Sequence, residues 1–143
     1  HGASLNALVA AALIAGAANA VNLLDVRPGR ALKGYAVLMV WAGLAHGFAG
    51  HPAATQVAAL SLVPAGGALA LWRGDHKGAW MLGDTGANLL GAAAGLSLAT
   101  APLSWQLAVL LLLALLHVYS ERRSLSALID AVPLLSRLDR WGR

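Results

Sequence analysis

The sequence predicts an all-α, polytopic integral membrane protein. All sixteen charged side chains of the 143-residue chain, ten basic and six acidic, fall in three blocks: Asp25–Lys33, Arg73–Asp84 and Glu121–Arg143. The segments between these blocks are apolar, and 59% of all residues are hydrophobic. A charged side chain at mid-membrane costs about 2.5 kcal/mol or more, so charge blocks separated by about one membrane thickness are typical of membrane-spanning helices.

The apolar segments predict the number and type of the spanning elements. A backbone in hydrocarbon must satisfy its own hydrogen bonds, and the Ala, Leu and Gly content with few β-branched residues favours helices over barrel strands. We expect about five transmembrane helices within residues 1–119, followed by a cytoplasmic amphipathic tail, residues 120–143. The apolar runs are Ala3–Leu24, Tyr35–Phe48, Ala53–Trp72, Gly86–Ala101 and Ser104–Tyr119. Because His1 is not preceded by a start methionine, we also expect the chain to be part of a longer protein.

The basic residues predict the orientation of these helices. All ten lysines and arginines follow the first, third and fifth apolar runs, whereas the turns His46–Pro52 and Ala101–Ser104 carry none. By the positive-inside rule the three charged blocks face the cytoplasm. We therefore expect a multi-pass protein of the plasma membrane with its functional site on the cytoplasmic side.

The tail and the net charge of +4 indicate the kind of partner. Apolar residues recur in the tail near helical spacing, and Pro133 divides it into two pieces. We expect the tail to lie along the membrane with its arginines on anionic lipid headgroups. The basic residues form no patch with interleaved aromatic side chains, so nucleic acid is not expected as a partner. Assembly as a homodimer is an alternative that the sequence leaves open. The tail arginines are Arg122, Arg123, Arg137, Arg140 and Arg143.

One group of polar residues lies at the end of the first apolar run. Asn19, Asn22 and Asp25 recur every three residues and share one helix face. Arg27 and Arg30 follow, so a carboxylate able to hold a hard cation lies beside side chains able to hold phosphate oxygens. The alternative is a membrane-exit cap in which Asp25 pairs with Arg27 or Arg30.

A second group is the glycine-rich turn from Lys77 to Asn88, which leads into the fourth apolar run. Asp84 is placed to be the N-cap of the next helix, where aspartate is a favoured residue. The free amides of a helix start also attract phosphate, and a carboxylate there can hold Mg²⁺. The histidines show no metal-binding spacing and are expected at surface or interface positions: His46, His51, His76 and His117.

These two segments resemble the polyprenyl-phosphate N-acetylhexosamine-1-phosphate transferases, a family that includes the enzyme that makes the first lipid-linked peptidoglycan precursor. Residues 19–25 (NAVNLLD) are similar to the family's N-x-x-N-x-x-D segment, and residues 81–86 (MLGDTG) to its M-G-D-T-G-S segment. The resemblance implies that Asp84 binds Mg²⁺ and that Asp25 lies in the same cytoplasmic cleft. It covers most of this chain but only the later half of a family member.

The resemblance implies an enzyme of cell-wall polysaccharide synthesis that transfers a phosphosugar from a UDP-sugar to a polyprenyl phosphate. We expect Asp25 and Asp84 to be catalytic and Mg²⁺ to be the cofactor. The substrate-binding candidates are Asn19, Asn22, Arg27, Arg30 and Lys77. Two departures favour an alternative, a non-catalytic homologue or membrane partner subunit. Pro28 replaces the second aspartate of the family's D-G-x-D-G continuation, and the family's histidine-rich last loop is represented only by residues 120–124.

Overall fold

Seven helices make up the part of the chain that the structure describes. The structure, a computed structural model, describes the backbone of residues 2–49 and 53–141 and the side chains of residues 4–47 and 63–141. These residues contain no strand, so the all-α prediction is confirmed. His51 and Arg143 lie outside the described residues. The helices are α1 (Gly2–Leu24), α2 (Arg30–Ala49), α3 (Ala53–His76), α4 (Gly83–Ala99), α5 (Leu103–Arg122), α6 (Leu125–Ala131) and α7 (Pro133–Arg140).

The helices extend beyond the apolar runs into the charged blocks. Helix α2 begins at Arg30 instead of Tyr35, and α3 ends at His76 instead of Trp72. Arginine, lysine, leucine and alanine are good helix formers, which explains the earlier start of α2, whereas α3 continues through Gly74, Asp75 and His76 although these residues form helices less well. As a result Arg30, Asp75 and His76 have fixed positions on helices, although they lie outside the apolar runs from which the sequence predicted the helices.

Two helices of the described residues are long and apolar enough to cross a membrane, over Ser4–Leu24 in α1 and Leu103–Arg122 in α5. Helix α4 has 17 residues, which cover about 26 Å at 1.5 Å per residue, less than the hydrocarbon thickness of about 30 Å. Helix α2 begins with Arg30 and carries Lys33 in its first turn. Helix length and composition therefore support two spans, and crossing by five helices stays a prediction.

Helices α1 and α4 form the central pair of the bundle. Helix α4 also packs against α2 and α3, and α5 packs on α1. A Cβ atom added at Gly91 would collide with the backbone of Ala17 and Ala18, and one added at Gly95 would lie 2.6 Å from the Cα of Ile14. The Gly91 and Gly95 pair, four residues apart on α4, therefore permits close packing of α1 and α4. The equivalent pair in α2, Gly43 and Gly47, faces open space, so that pair packs against nothing in the described structure.

The tail folds back onto the start of α2. The Ser124 side chain accepts a hydrogen bond from the Ala127 amide and caps α6, and Pro133 is the first residue of α7. The predicted division of the tail at Pro133 is confirmed. Asp139 of α7 is buried against α2, and the Trp141 ring meets the Trp72 ring edge-on with their centroids 6.2 Å apart. The tail thus belongs to the folded bundle at the end where the first two charged blocks meet.

Candidate functional site

Three carboxylates from three different helix ends lie together at this end of the bundle. Asp25 directly follows α1, Asp75 lies in the last turn of α3, and Asp84 lies in the first turn of α4. Burial raises the pKa of the Asp25 carboxyl above its ordinary value of 3.8, and the charges of Asp75 and then Asp84 raise it further. We call Asp25, Asp75 and Asp84 the acidic cluster. The sequence singled out Asp25 and Asp84 but not Asp75.

Asp25 supplies the hydrogen bond that the start of α4 needs. The backbone amide of Gly83 donates to the Asp25 carboxylate, which partly opposes the rise in the pKa of Asp25. Helix α4 begins at Gly83, with Leu82 at the N-cap position and no capping side chain from that residue. The prediction that Asp84 is the N-cap is therefore wrong. Because the Asp25 carboxylate already accepts from the first amide of α4 and Asp84 is not at the N-cap, the exposed Asp84 side chain remains available for a ligand.

Asp75 accepts a backbone hydrogen bond next to the start of α2, as Asp25 does at the start of α4. Its Oδ2 accepts a hydrogen bond of 2.7 Å from the amide of Gly29, the residue before α2 begins. Gly29 has a φ of +79°, a left-handed conformation that lets the chain reverse between α1 and α2. Asp75 is only 1% exposed, and its second oxygen, Oδ1, is buried without a hydrogen-bond partner. Only one of the two Asp75 oxygens therefore has a hydrogen-bond partner.

His76, the residue after Asp75, also lies against Gly29. Its ring stacks on Trp72 with centroids 4.3 Å apart, and its Nδ1 lies 2.9 Å from the Trp72 carbonyl oxygen. A carbonyl oxygen only accepts, so Nδ1 carries the hydrogen and, in the neutral ring, Nε2 is an acceptor. Nε2 is buried without a partner, and a Cβ added at Gly29 would lie 2.8 Å from it. The absence of a side chain at Gly29 leaves room for this ring.

The two asparagines of the first motif have different environments. Asn22 is partly buried one turn before Asp25, whose amide donates to the Asn22 carbonyl oxygen over 3.0 Å. The Asn22 Oδ1 is buried without a hydrogen-bond partner, and Asn19 is exposed. Three of the four unpartnered buried side-chain atoms found in the described residues thus belong to Asn22, Asp75 and His76. All three carry lone pairs, which suits a cation or a hydrogen-bond donor rather than an anion.

The basic residues near the cluster are engaged by the tail. The Arg30 guanidinium is buried and bonds both Asp139 oxygens, at 2.5 and 3.1 Å, while its third nitrogen donates to Ser126 Oγ over 2.7 Å. Arg27 lies 3.4 Å from Asp130. The alternative in which Asp25 pairs with Arg27 or Arg30 is therefore wrong, because both guanidinium groups have tail carboxylates as partners. Arg30, expected to bind phosphate, is sequestered.

Two other basic side chains remain near the surface of the site. The Lys33 Nζ donates to the carbonyl oxygen of Asp139 over 2.8 Å, which adds a third contact between α2 and the tail. Lys77 is exposed in the turn between α3 and α4. Within residues 4–47 and 63–141, no salt bridge joins a basic side chain to the acidic cluster. The cluster therefore carries negative charge without a paired cation from the described protein.

An apolar cavity of about 330 Å³ lies beneath the tail, beside this cluster. Its walls come from the end of α1, from α2, from Trp72 of α3 and from the tail, and Arg30, Lys33 and Asp139 line its polar side. Leu24, which directly precedes Asp25, is part of the wall. The apolar lining residues are Leu24, Val37, Trp72, Ile129, Leu135, Leu138 and Trp141. The cavity has the composition of a site for a hydrocarbon chain.

The acidic cluster differs from a metal site made only of protein ligands. Among the described residues, no group of three or more His, Asp or Glu side chains is placed to hold one metal ion. Mg²⁺ does not need such a group, since it usually binds one or two carboxylates and keeps water and substrate phosphate as its other ligands. The charge of the cluster and its unpartnered Asp75 oxygen fit a hydrated divalent cation.

Comparisons with protein-family models, with curated proteins and with solved structures gave no match. The family resemblance therefore stays a prediction from the two motifs. Sequence reasoning missed Asp75 and placed His76 at a surface, although it is 3% exposed. The available signal was the position of Asp75 in the same charged block as Asp84, but the block alone does not say that α3 continues to His76.

Proposed function

We propose that this chain is the membrane part of an enzyme that transfers a phosphosugar from a UDP-sugar to a polyprenyl phosphate, with Mg²⁺, at the cytoplasmic face of the plasma membrane. The observation that carries the proposal is the meeting of Asp25 and Asp84 in one cluster that has no paired basic side chain in the described structure. These carboxylates are distant in the sequence and belong to the two motifs on which the resemblance is based.

The reaction requires neutralisation of charge more than covalent participation by the protein. An oxygen of polyprenyl phosphate forms a bond to the sugar-linked phosphorus, and the bond from that phosphorus to the uridine monophosphate oxygen breaks, so the nucleotide leaves with the electron pair. Mg²⁺, when bound, supplies positive charge against the pyrophosphate oxygens. Asp84 and Asp25 would hold the cation, and Asp84 presents its carboxylate at an exposed position beside the amides of a helix start.

Substrate phosphates need basic side chains that are not already held in ion pairs with carboxylates of the tail. Lys77 is exposed in the turn before Asp84 and is the best candidate. Arg27 is 3.4 Å from Asp130, and both side chains are partly exposed. Such a pair contributes little to stability, so Arg27 can leave Asp130 and bind a phosphate at a small cost in free energy. Asn22 keeps an unpartnered amide oxygen for a donor group of the nucleotide sugar, and Asn19 is exposed on the preceding turn. Arg30 is left out of the substrate site because its ion pair is buried.

The apolar cavity supports a lipid acceptor. A polyprenyl chain is hydrocarbon, and a cavity lined by leucine and tryptophan side chains next to the acidic cluster could hold the part of that chain nearest to its phosphate. The outward faces of the helices also suit a bilayer. Leu111 and Leu115 of α5 are 61% and 58% exposed, which is expected of side chains that face lipid. We extend this reasoning to α2, α3 and α4 and propose five spans with the charged blocks inside.

The test is an assay of the protein in its full reading frame. The purified protein is incubated with Mg²⁺, polyprenyl phosphate and a panel of UDP-sugars, and release of uridine monophosphate is measured. We expect turnover with at least one donor, and a loss of about 100-fold or more in Asp84→Asn and Asp25→Asn, as for other groups that stabilise transition-state charge. Glu121→Gln is the matched control, since it neutralises an exposed carboxylate at the end of α5 that pairs with none of the candidate residues. Turnover by Asp84→Asn and Asp25→Asn equal to that of the parent would remove these residues from the site.

A second candidate function is a non-catalytic homologue or membrane partner subunit. The observation that favours it is that Asp25 and Asp75 each accept a backbone amide at the start of a neighbouring helix, Gly83 and Gly29 respectively. In that case the aspartates serve the fold alone. No turnover with any donor, together with a lower melting temperature in Asp25→Ala, would favour this second function over the transferase.

A further inference from the structure

We propose that the outward side of α7 docks on the anionic headgroups of the membrane leaflet from which α5 emerges. This side is formed by Leu134, Arg137, Leu138, Arg140 and Trp141, and we call it the docking face. The sequence predicted only that the tail lies along a membrane. The fold adds which side of α7 meets the lipid and why that side favours anionic headgroups. Docking of the tail does not require the transfer reaction of the proposed function.

The tail begins where a candidate membrane span ends. Residues Leu103–Arg122 of α5 are long and apolar enough to cross a membrane, and α6 begins at Leu125. Only Arg123 and Ser124 separate the two helices. Such a short connection holds the tail near the surface that α5 leaves, so the leaflet is present beside α7 at a high effective concentration.

The fold separates the charges of α6 and α7 by sign. The acidic residues of these two helices, Asp130 and Asp139, form salt bridges with arginines at or just before the start of α2. In contrast, Arg137 and Arg140 are exposed, and within the described residues neither forms a salt bridge. The acidic side chains thus face the bundle and are neutralised there. The outward charge of α7 is positive and complementary to an anionic lipid surface.

The two arginines flank an apolar stripe. Leu134, Leu138 and Trp141 follow each other at intervals of four and three residues and share one side of the helix. All three side chains are more than half exposed. Burial of this stripe at the boundary between headgroups and acyl chains removes it from water, while the arginines remain at the level of the phosphates. An apolar stripe flanked by arginines is typical of a helix that lies in the membrane interface.

Docking also determines where the apolar cavity opens. Leu135, Leu138 and Trp141 of α7 line this cavity, and the last two belong to the docking face as well. The cavity wall and the docking face therefore share side chains, and the cavity lies next to the leaflet surface. A hydrocarbon chain can then enter the cavity from the bilayer without crossing water.

The test measures the depth of α7 in nanodiscs that contain the full-length protein. The 143-residue chain contains no cysteine, so Leu134→Cys provides one attachment site for a nitroxide within it. Electron paramagnetic resonance compares the accessibility of the nitroxide to oxygen, which concentrates in hydrocarbon, and to a neutral nickel chelate, which stays in water. We expect the nitroxide to move from water into the interface when phosphatidylglycerol is added to phosphatidylcholine. Inorganic phosphate should not produce this change.

Substitutions separate headgroup binding from apolar insertion. One arginine near an anionic surface strengthens binding by about fivefold, so Arg137→Gln should lower the ratio of docked to undocked α7 by that factor. Arg137→Gln combined with Arg140→Gln should lower it by about 25-fold. Arg137→Lys keeps the charge and should dock as the parent does. Arg73→Gln is the matched control, because it removes an exposed arginine of α3 outside the tail. The melting temperatures of these variants should equal that of the parent, since the substituted side chains are exposed.

The outcomes distinguish docking from the proposed function. A nitroxide that stays in water in both kinds of nanodisc would overturn the docking and favour a soluble partner for this face. Equal depth in both kinds, unchanged by loss of the arginines, would overturn the role of anionic headgroups. Transferase activity together with a nitroxide in water would overturn the docking and leave the transfer standing. Docking that depends on phosphatidylglycerol in a protein without transferase activity would support this inference and count against the transfer.

Discussion

Arg30 and Asp139 form a buried ion pair between residues 109 positions apart in the chain, with the Arg30 Nε 2.5 Å from Asp139 Oδ1. This contact fixes α7 against the first turn of α2, contributes two residues to the lining of the apolar cavity and engages one arginine that could otherwise pair with the acidic cluster. The tail therefore affects both the shape and the charge of the candidate site.

Breaking this pair should release the tail. Asp139→Ala leaves the buried Arg30 guanidinium with only the Asp130 carboxylate, 3.9 Å away, as a counter-charge, and breaking a buried ion pair typically costs about 3–5 kcal/mol. We expect a clear fall in the free energy of unfolding and faster proteolysis between α5 and α7. Asp130→Ala removes a carboxylate that is 51% exposed and pairs with Arg27, so it should cost at most about 1 kcal/mol. Similar stabilities for the two variants would argue against the buried pair.

The acidic cluster should make stability depend on pH. Burial, Asp75 and Asp84 raise the pKa of Asp25 above 3.8, so the folded protein keeps a proton that the unfolded chain releases. Between the unfolded and the folded pKa, stability therefore falls as pH rises. Asp25→Asn should flatten this part of the profile and be more stable than the parent at neutral pH without metal. Thermal unfolding across the pH range measures this. A profile of Asp25→Asn that parallels that of the parent would contradict the raised pKa.

The close approach of α1 and α4 gives a paired test. At Gly91 an added methyl group would collide with the backbone of Ala17 and Ala18, so Gly91→Ala should destabilise by about 1–3 kcal/mol. At Gly43 the same methyl group would meet open space, and Gly43→Ala should be neutral or stabilise by up to about 1 kcal/mol through helix propensity. Chemical unfolding in detergent measures both. A Gly91→Ala protein as stable as the parent would show that α1 and α4 pack less tightly than this.

Two glycines with positive φ should respond differently to alanine. Gly83 has a φ of +65° and open space around it, so Gly83→Ala should cost about 1–2 kcal/mol, from backbone strain alone. Gly29 has a φ of +79°, and its added Cβ would also press on the His76 ring. Gly29→Ala should therefore cost more and disturb the stacking of His76 on Trp72. Melting temperatures and tryptophan emission spectra of the two variants test this difference.

The proposed orientation can be tested with single cysteines, because the chain contains none. Ala79 and Ser104 are both exposed. Ala79 lies in the turn before α4 and Ser104 in the first turn of α5, two positions assigned to opposite sides of the membrane. In intact cells Ser104→Cys should react with a membrane-impermeant maleimide, and Ala79→Cys should react only after permeabilisation. Labelling of both positions from the same side would exclude the five-span arrangement.

The sequence was most informative where a pattern is local. Charge blocks and apolar runs predicted helices, and Pro133 predicted the division of the tail, because helix propensity and chain breaks depend on neighbouring residues. Helix ends were less well predicted. The apolar run stopped at Trp72, but α3 continues to His76, and the weak helix propensities of Gly74, Asp75 and His76 do not predict this extension because tertiary packing overrides them.

The partners of the charged residues depended on the tertiary structure. From the sequence, Asp25 could pair with Arg27 or Arg30, and Asp84 could cap α4. In the folded protein Asp25 bonds the Gly83 amide instead, and the tail engages both arginines. Asp75 entered the site only because α3 brings it beside the turn at Gly29.

The sequence by itself determined the helical class and the ends at which polar chemistry is concentrated, because both follow from the spacing of apolar and charged residues along the chain. Only the tertiary structure decided which carboxylates stay without a cation and which arginine is buried. Such pairings join residues up to 109 positions apart, and they depend on how the helices and the tail pack, which no local pattern contains.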